Sequence, residues 1–167
     1  MRIGIDYRSA LINAEGIGRY VRELVRAMVE MNFDEHLGLF GYTLSGARYS
    51  RAELGLEGSR AELCRLRFPA RFTPGLLRVL NKGVDDLVGG CEVFHHILPY
   101  RLDVREAVQV ATIFDAIYTL DAGYLAPEAA AHMTAKAKEL VEHSERILVP
   151  SEFVGAELVM ALGAHPS

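Results

Sequence analysis

The groups best placed to do chemistry fall at four places in the chain. The first is a glycine-bearing loop, Gly16-Ile17-Gly18-Arg19-Tyr20, separated by eight residues from Tyr7, the end of the opening stretch that holds Ile3-Gly4-Ile5-Asp6. Where such a loop feeds a helix, bare amides and the positive end of the helix dipole meet, which suits phosphate or sugar binding. Asn13 is a polar contact in the same loop. Arg19 opens the helix, where a cation opposes the dipole, so a partner anion explains it better than helix stability does. The competing reading is that Gly16 and Gly18 simply make a tight turn. The second place is His95-His96 at the end of a strand. Adjacent strand residues point to opposite faces, so one imidazole is expected to face a cleft and the other the body of the domain. Joint metal ligation is not expected for the same reason, and a satisfied structural histidine competes at each position. Asp115 ends the next strand, placed to bind a hydroxyl or to cap the turn that follows. Ser151-Glu152 ends the last strand, where helix capping alone would explain Ser151.

The elements that must position these groups are readable from periodicity. Apolar stretches at Arg2–Tyr7, Leu37–Leu44, Leu63–Phe68, Cys91–Ile97, Val108–Phe114 and Arg146–Val149 predict six strands. From Ile17, the residues Tyr20, Val21, Leu24, Val25, Met28 and Val29 make the i, i+3, i+4, i+7 stripe of a helix, with Arg19, Arg22, Glu23, Arg26 and Glu30 on its other face. Ser9–Glu15 reads as a polar loop and Ser45–Ser59 as loop or short helix. Pro74 starts a helix whose stripe runs through Leu76, Leu77, Leu80, Val84, Leu87 and Val88 to the stop at Gly89-Gly90. Two more helices follow, over Ala126–Ser144 and from the Ser151 cap to Gly163. Strands that are near-continuously apolar and alternate with helices imply a parallel sheet covered on both faces. The expected class is α/β, a doubly wound, Rossmann-like three-layer domain with a mainly parallel sheet of about six strands, its ligands at the carboxyl ends of the strands.

Bulk properties bound the function. A chain of 167 residues, 50% hydrophobic, suits one packed domain. A net charge of −4 gives no case for nucleic-acid binding. The charge is uneven: Ala47–Lys82 holds eight basic and three acidic residues, leaving that segment +5 and the remainder −9. Such a segment suits an anionic membrane or a phosphorylated acceptor, against the blander reading of a solvated face. Cys64 and Cys91 fit neither a metal spacing nor a disulfide framework and read as buried free thiols of a cytoplasmic protein. No charged-then-apolar leader and no apolar run of roughly 18 residues is present, so secretion and membrane spanning are not expected.

Four segments taken together carry a resemblance: Ile3-Gly4-Ile5-Asp6, Gly16-Ile17-Gly18-Arg19-Tyr20-Val21-Arg22-Glu23-Leu24, Ala111-Thr112-Ile113-Phe114-Asp115-Ala116-Ile117, and Val149-Pro150-Ser151-Glu152-Phe153. In order and spacing the chain resembles the N-terminal, acceptor-binding domain of the family 4 (group 1) glycosyltransferases, which have the GT-B fold. The resemblance implies a hexosyltransferase-type enzyme of polysaccharide biosynthesis. It would pass a sugar, with retention, from a nucleotide-sugar donor to a glycan or lipid-linked acceptor, with no metal and no other cofactor. It further implies that residues 1–163 are the N-terminal domain, that 164–167 begin an interdomain connection, and that a nucleotide-sugar domain lies beyond. This piece alone is then expected to lack activity. The amides of Gly16 and Gly18 would approach the donor phosphate, and His95 or His96 would line the acceptor side of the cleft. The expected location is cytoplasmic, peripheral at the inner face of a membrane. One departure stands out. The family often has a histidine just before the strand-ending aspartate, and here Phe114 holds that position. Phenylalanine neither hydrogen-bonds a sugar hydroxyl nor relays a proton, so no role beyond shaping the pocket carries over to it.

Two alternatives remain. Phe114 supports a non-catalytic binding or scaffold module of the same fold. A dinucleotide-binding oxidoreductase domain is less well supported. Its Gly-x-Gly-x-x-Gly should follow the first strand directly, yet here the third glycine position is Val21. No acidic residue ends the second strand near Tyr42-Thr43 to hold a ribose.

Overall fold

The computed structural model describes residues 1–31, 36–43, 49–67, 73–119 and 123–165. Six strands, β1 (Arg2–Asp6), β2 (His36–Tyr42), β3 (Glu62–Leu66), β4 (Val93–His96), β5 (Val108–Thr112) and β6 (Arg146–Leu148), form one sheet in the order β3-β2-β1-β4-β5-β6. Every pairing is parallel. The strands interleave with helices α1 (Arg8–Ile12), α2 (Ile17–Glu30), α3 (Thr73–Val79), α4 (Val84–Leu87), α5 (Pro127–His143) and α6 (Glu152–Leu162). This is an α/β, Rossmann-like fold with helices on both sides of the sheet.

Register decides which side chains share a face. Ile5 aligns with Leu39 and with His95, and this face packs against Leu11, Val21 and Val25 of α1 and α2. Phe40 and Phe94 lie on the opposite face, packed with Leu77, Val84 and Val88 of α3 and α4. Gly4 and Gly38, paired across β1 and β2, let α4 come close on that side. A Cβ on Gly38 would sit 2.9 Å from the Val88 carbonyl oxygen, and one on Gly4 2.6 Å from the Phe94 ring. Farther along the sheet Ala111 and Ile147 meet Ala137 and Leu140 of α5 and Val154 and Leu158 of α6. Among the described residues no helix is long and apolar enough to cross a membrane.

Four sequence expectations are corrected. Residues Arg8–Ile12 form α1, which takes up the first part of the expected polar loop Ser9–Glu15, because Ala10 and Leu11 are wholly buried. Gly41 makes room for Leu11, whose Cδ1 would lie 2.5 Å from any Cβ there. The single helix expected from Pro74 to Val88 is two helices. Asn81 takes a left-handed conformation (φ 54°), and the Lys82 amide closes α3 by donating to the Leu77 carbonyl. The chain then restarts at Gly83, whose amide donates to Asp86 Oδ2. Arg22, expected on the polar face of α2, is buried. Cys64 is half-buried rather than buried, whereas Cys91 is buried, and both are free thiols. Leu44 and Phe68, expected as strand ends, and Arg48 and Arg71 of the basic segment lie outside the described residues.

Candidate functional site

In an open parallel sheet, ligands bind outside the carboxyl ends of the strands where the strand order reverses. Here the chain steps one way through β1, β2 and β3 and the other way through β4, β5 and β6, so the reversal lies between β1 and β4. Asp6 ends β1 and His96 ends β4 at that point.

The carboxyl end of β1 is closed by a buried ion pair that spacing did not single out. Arg8 donates from Nε to Asp6 Oδ1 at 2.6 Å and from Nη2 to Asp6 Oδ2 at 2.5 Å, with both side chains buried. Burial works against the charge on Arg8, but the hydrogen bonds and charge of Asp6 outweigh it and push the guanidinium pKa up. The remaining Arg8 nitrogen, Nη1, donates to the hydroxyl of Tyr42 and, at 2.6 Å, to that of Tyr100. Tyr42 is at the end of β2 and Tyr100 follows β4, so the two phenols arch over the end of β1 from both neighbouring strands. The available signal was the Asp6-x-Arg8 spacing: two opposite charges straight after an apolar strand need each other once buried.

The loop before α2 is built by a second buried arginine. Arg22 Nη1 donates to the carbonyls of Ala10 (3.0 Å) and Asn13 (2.6 Å), and Nη2 to the carbonyl of Ala14. Its guanidinium lies 4.7 Å from the Tyr49 ring centre. These bonds satisfy carbonyls at the end of α1 and just beyond it that lack a partner within the helix. Gly18 is structural in the strict sense, since a Cβ would fall 2.4 Å from the Asn13 carbonyl oxygen and 2.7 Å from that of Ser9. Gly16 differs. It is the N-cap of α2 at φ 58° and ψ −132°, a conformation for glycine, and open space surrounds it. No side chain caps α2, and its first turn holds no acidic residue. Arg19 and Asn13 stand exposed beside it.

The two histidines are placed on opposite faces by the β4 register, and both are buried. His95 Nε2 lies 2.8 Å from Thr112 Oγ1, and His96 Nε2 lies 3.1 Å from Gln109 Oε1, which also accepts from Arg101 Nε. Burial lowers each pKa to about 4 against the opposing pull of Asp6, so both rings are neutral at pH 7. Asp115 is exposed, and its Oδ1 accepts from the Ile117 amide at the start of a 3-10 turn. Ser151 Oγ accepts from the Val154 amide and caps α6, with Glu152 exposed in the first turn. Phe114 packs edge to face on Tyr20 of α2, ring centres 4.9 Å apart.

The structure therefore gathers Asn13, Gly16, Gly18 and Arg19 at one point and sets His95 and His96 in the sheet beneath the switch. It leaves Ser151 and Glu152 beyond β6, three strand positions from β1, or about 14 Å at the usual spacing between strands. A cleft of about 660 Å³ lined by residues 141–147 and 162–165 lies at the other edge of the sheet, where α5 enters β6. Among the described residues no group of three or more His, Cys, Asp or Glu side chains could hold a metal ion. No protein-family model, curated protein or solved structure matches the chain.

Proposed function

We propose that this chain is the acceptor-binding half of a retaining glycosyltransferase that moves a sugar from a nucleotide-sugar donor to a glycan or lipid-linked acceptor. The observation that carries the reading is the start of α2. There an uncapped helix N-terminus and an exposed, glycine-only Gly16 sit at the carboxyl edge of a parallel sheet beside the switch between β1 and β4. The amides of the first turn have no partner within the helix. They form a fixed set of donors for negative charge that develops on a leaving diphosphate as the anomeric C–O bond breaks. Arg19 is placed to share that charge. Phe114 and Tyr20 form an apolar pair beside the start of α2, so any proton transfer in this reading belongs to groups other than Phe114. No metal or further cofactor is required.

The reading places the protein in the cytoplasm, at the inner face of a membrane. Val79 and Leu80 are 83% and 55% exposed beside the exposed Arg78 and Lys82, a pairing that favours contact with anionic lipid. Co-sedimentation with anionic vesicles that falls as salt rises is the expected result, and indifference to salt removes the electrostatic contact.

The test of the main reading is release of nucleoside diphosphate by the full-length chain, meaning these residues joined to the nucleotide-sugar domain that the reading requires, across a panel of nucleotide sugars with a range of acceptors. Phe114 favours one other reading, a non-catalytic module of the same fold, which predicts silence across that panel with the protein folded. Titration with NAD or FAD is expected to be flat.

A further inference from the structure

The hydrogen atoms around Arg8 do not balance within the protein. Nη1 supplies one to each of the Tyr42 and Tyr100 oxygens. Two phenolic protons then remain to be placed. The pair can absorb at most one of them between its own two oxygens, and among the described residues no other acceptor bonds either hydroxyl, so at least one O–H is left to donate outward. Both tyrosines are half-buried, over the end of β1. A hydroxyl that accepts from a guanidinium is polarised and becomes a stronger donor itself. The Asp6 carboxylate neutralises Arg8, so the cluster offers a strong neutral donor with little net charge to attract an anion.

We propose that Tyr42 and Tyr100 form a clasp for a hydroxyl or ring oxygen of a neutral pyranose, with Arg8 as the positioning residue that aims and polarises both phenols. This rests on the glycosyltransferase reading for its substrate class and specifies which side chains grip the acceptor sugar. The guanidinium lies 4.9 Å from the Tyr42 ring centre and 4.6 Å from that of Tyr100, so each ring is held in place by packing as well as by its hydroxyl. A Tyr→Phe change therefore removes the donor and keeps the ring.

The experiment is a titration of the isotope-labelled chain, followed by NMR, with the methyl pyranosides of glucose, mannose and galactose and, separately, with inorganic phosphate. At least one pyranoside is expected to shift the signals of Tyr42, Tyr100 and Arg8. Tyr100→Phe and Tyr42→Phe are each expected to weaken that binding about tenfold, the cost of one good hydrogen bond to a ligand. If one variant unfolds, the other and the wild-type titration still decide. The proposal is overturned if no pyranoside moves these signals, if the folded Phe variants bind as tightly as the wild type, or if phosphate alone binds there. Pyranoside binding at the clasp with no nucleotide-sugar turnover by the full-length chain would sink the transferase reading and leave the clasp. Turnover with the acceptor KM unmoved in both Phe variants would do the reverse.

Discussion

Arg22 reaches back from the second turn of α2 to the carbonyl of Asn13 at 2.6 Å, so the helix fixes the shape of the loop that introduces it. The same guanidinium holds Ala10 and Ala14. An exposed loop with an uncapped helix behind it is thereby made rigid without using the first-turn amides themselves. Arg22→Met keeps much of the side-chain volume and removes every donor. It should destabilise the chain by about 2–3 kcal/mol, because a buried carbonyl left without a partner bears its full desolvation cost. Urea denaturation measures this directly, and a loss under about 0.5 kcal/mol, the range of ordinary surface substitutions, would show that the loop holds its shape without Arg22.

Removing Arg8 should be worse. Arg8→Met strands the Asp6 carboxylate in a buried site, at an expected cost of about 3–5 kcal/mol. The double variant Asp6→Asn with Arg8→Met should recover part of that loss in the same denaturation experiment, because no charge is then left unpaired. If the double variant is as unstable as the sum of the singles, the two residues are not acting as a pair.

The buried histidines make stability depend on pH. Their folded pKa of about 4 lies below the ordinary value of 6.5, so the unfolded chain binds more protons between those limits. Stability is therefore full above about pH 6.5, falls as pH drops through that window and levels off below about 4. Each imidazole contributes about 3 kcal/mol across the window. Denaturation midpoints taken from pH 7.5 to 4.5 should fall steadily, and His96→Gln should flatten the slope by roughly half. A profile that does not change over this range would mean that the rings open to solvent.

Gly16 and Gly18 should respond differently to alanine. Gly18→Ala has to displace backbone oxygens at 2.4 and 2.7 Å and is expected to cost about 2–4 kcal/mol. Gly16→Ala meets open space but bears a positive φ, for about 1–2 kcal/mol, and the chain should still fold. In the full-length chain the transferase reading predicts that Gly16→Ala raises the KM for donor while the protein stays folded. An unchanged KM would return Gly16 to the role of a turn.

Much of the fold is legible because each strand is a short apolar run bounded by polar or glycine residues, and that pattern survives burial on both faces. The two ends of α6 are equally legible: Ser151 caps its start and Gly163 closes its end at φ 70°. What the pattern does not carry is the fate of charged side chains. Arg19 and Arg22 look alike along the sequence, three residues apart on one helix, yet Arg19 is exposed and Arg22 is buried against carbonyls that only the fold supplies. The same holds at Asp6 and Arg8, whose pairing depends on the bend of the chain after β1, and at Tyr42 and Tyr100, brought together by strands distant in sequence. The break at Asn81 was hidden because the apolar stripe continues through it. His95 and His96 were legible as residues on opposite faces, while their burial on Thr112 and Gln109 depends on the β4–β5 register.

The measurement that bears most directly on the central claim is nucleoside diphosphate release by the full-length chain, given each of a panel of nucleotide sugars with glycan and lipid-linked acceptors. The account predicts release with one donor, dependent on acceptor, and a retained anomeric configuration in the product. Silence across the panel from a folded protein, with acceptors present, would contradict it.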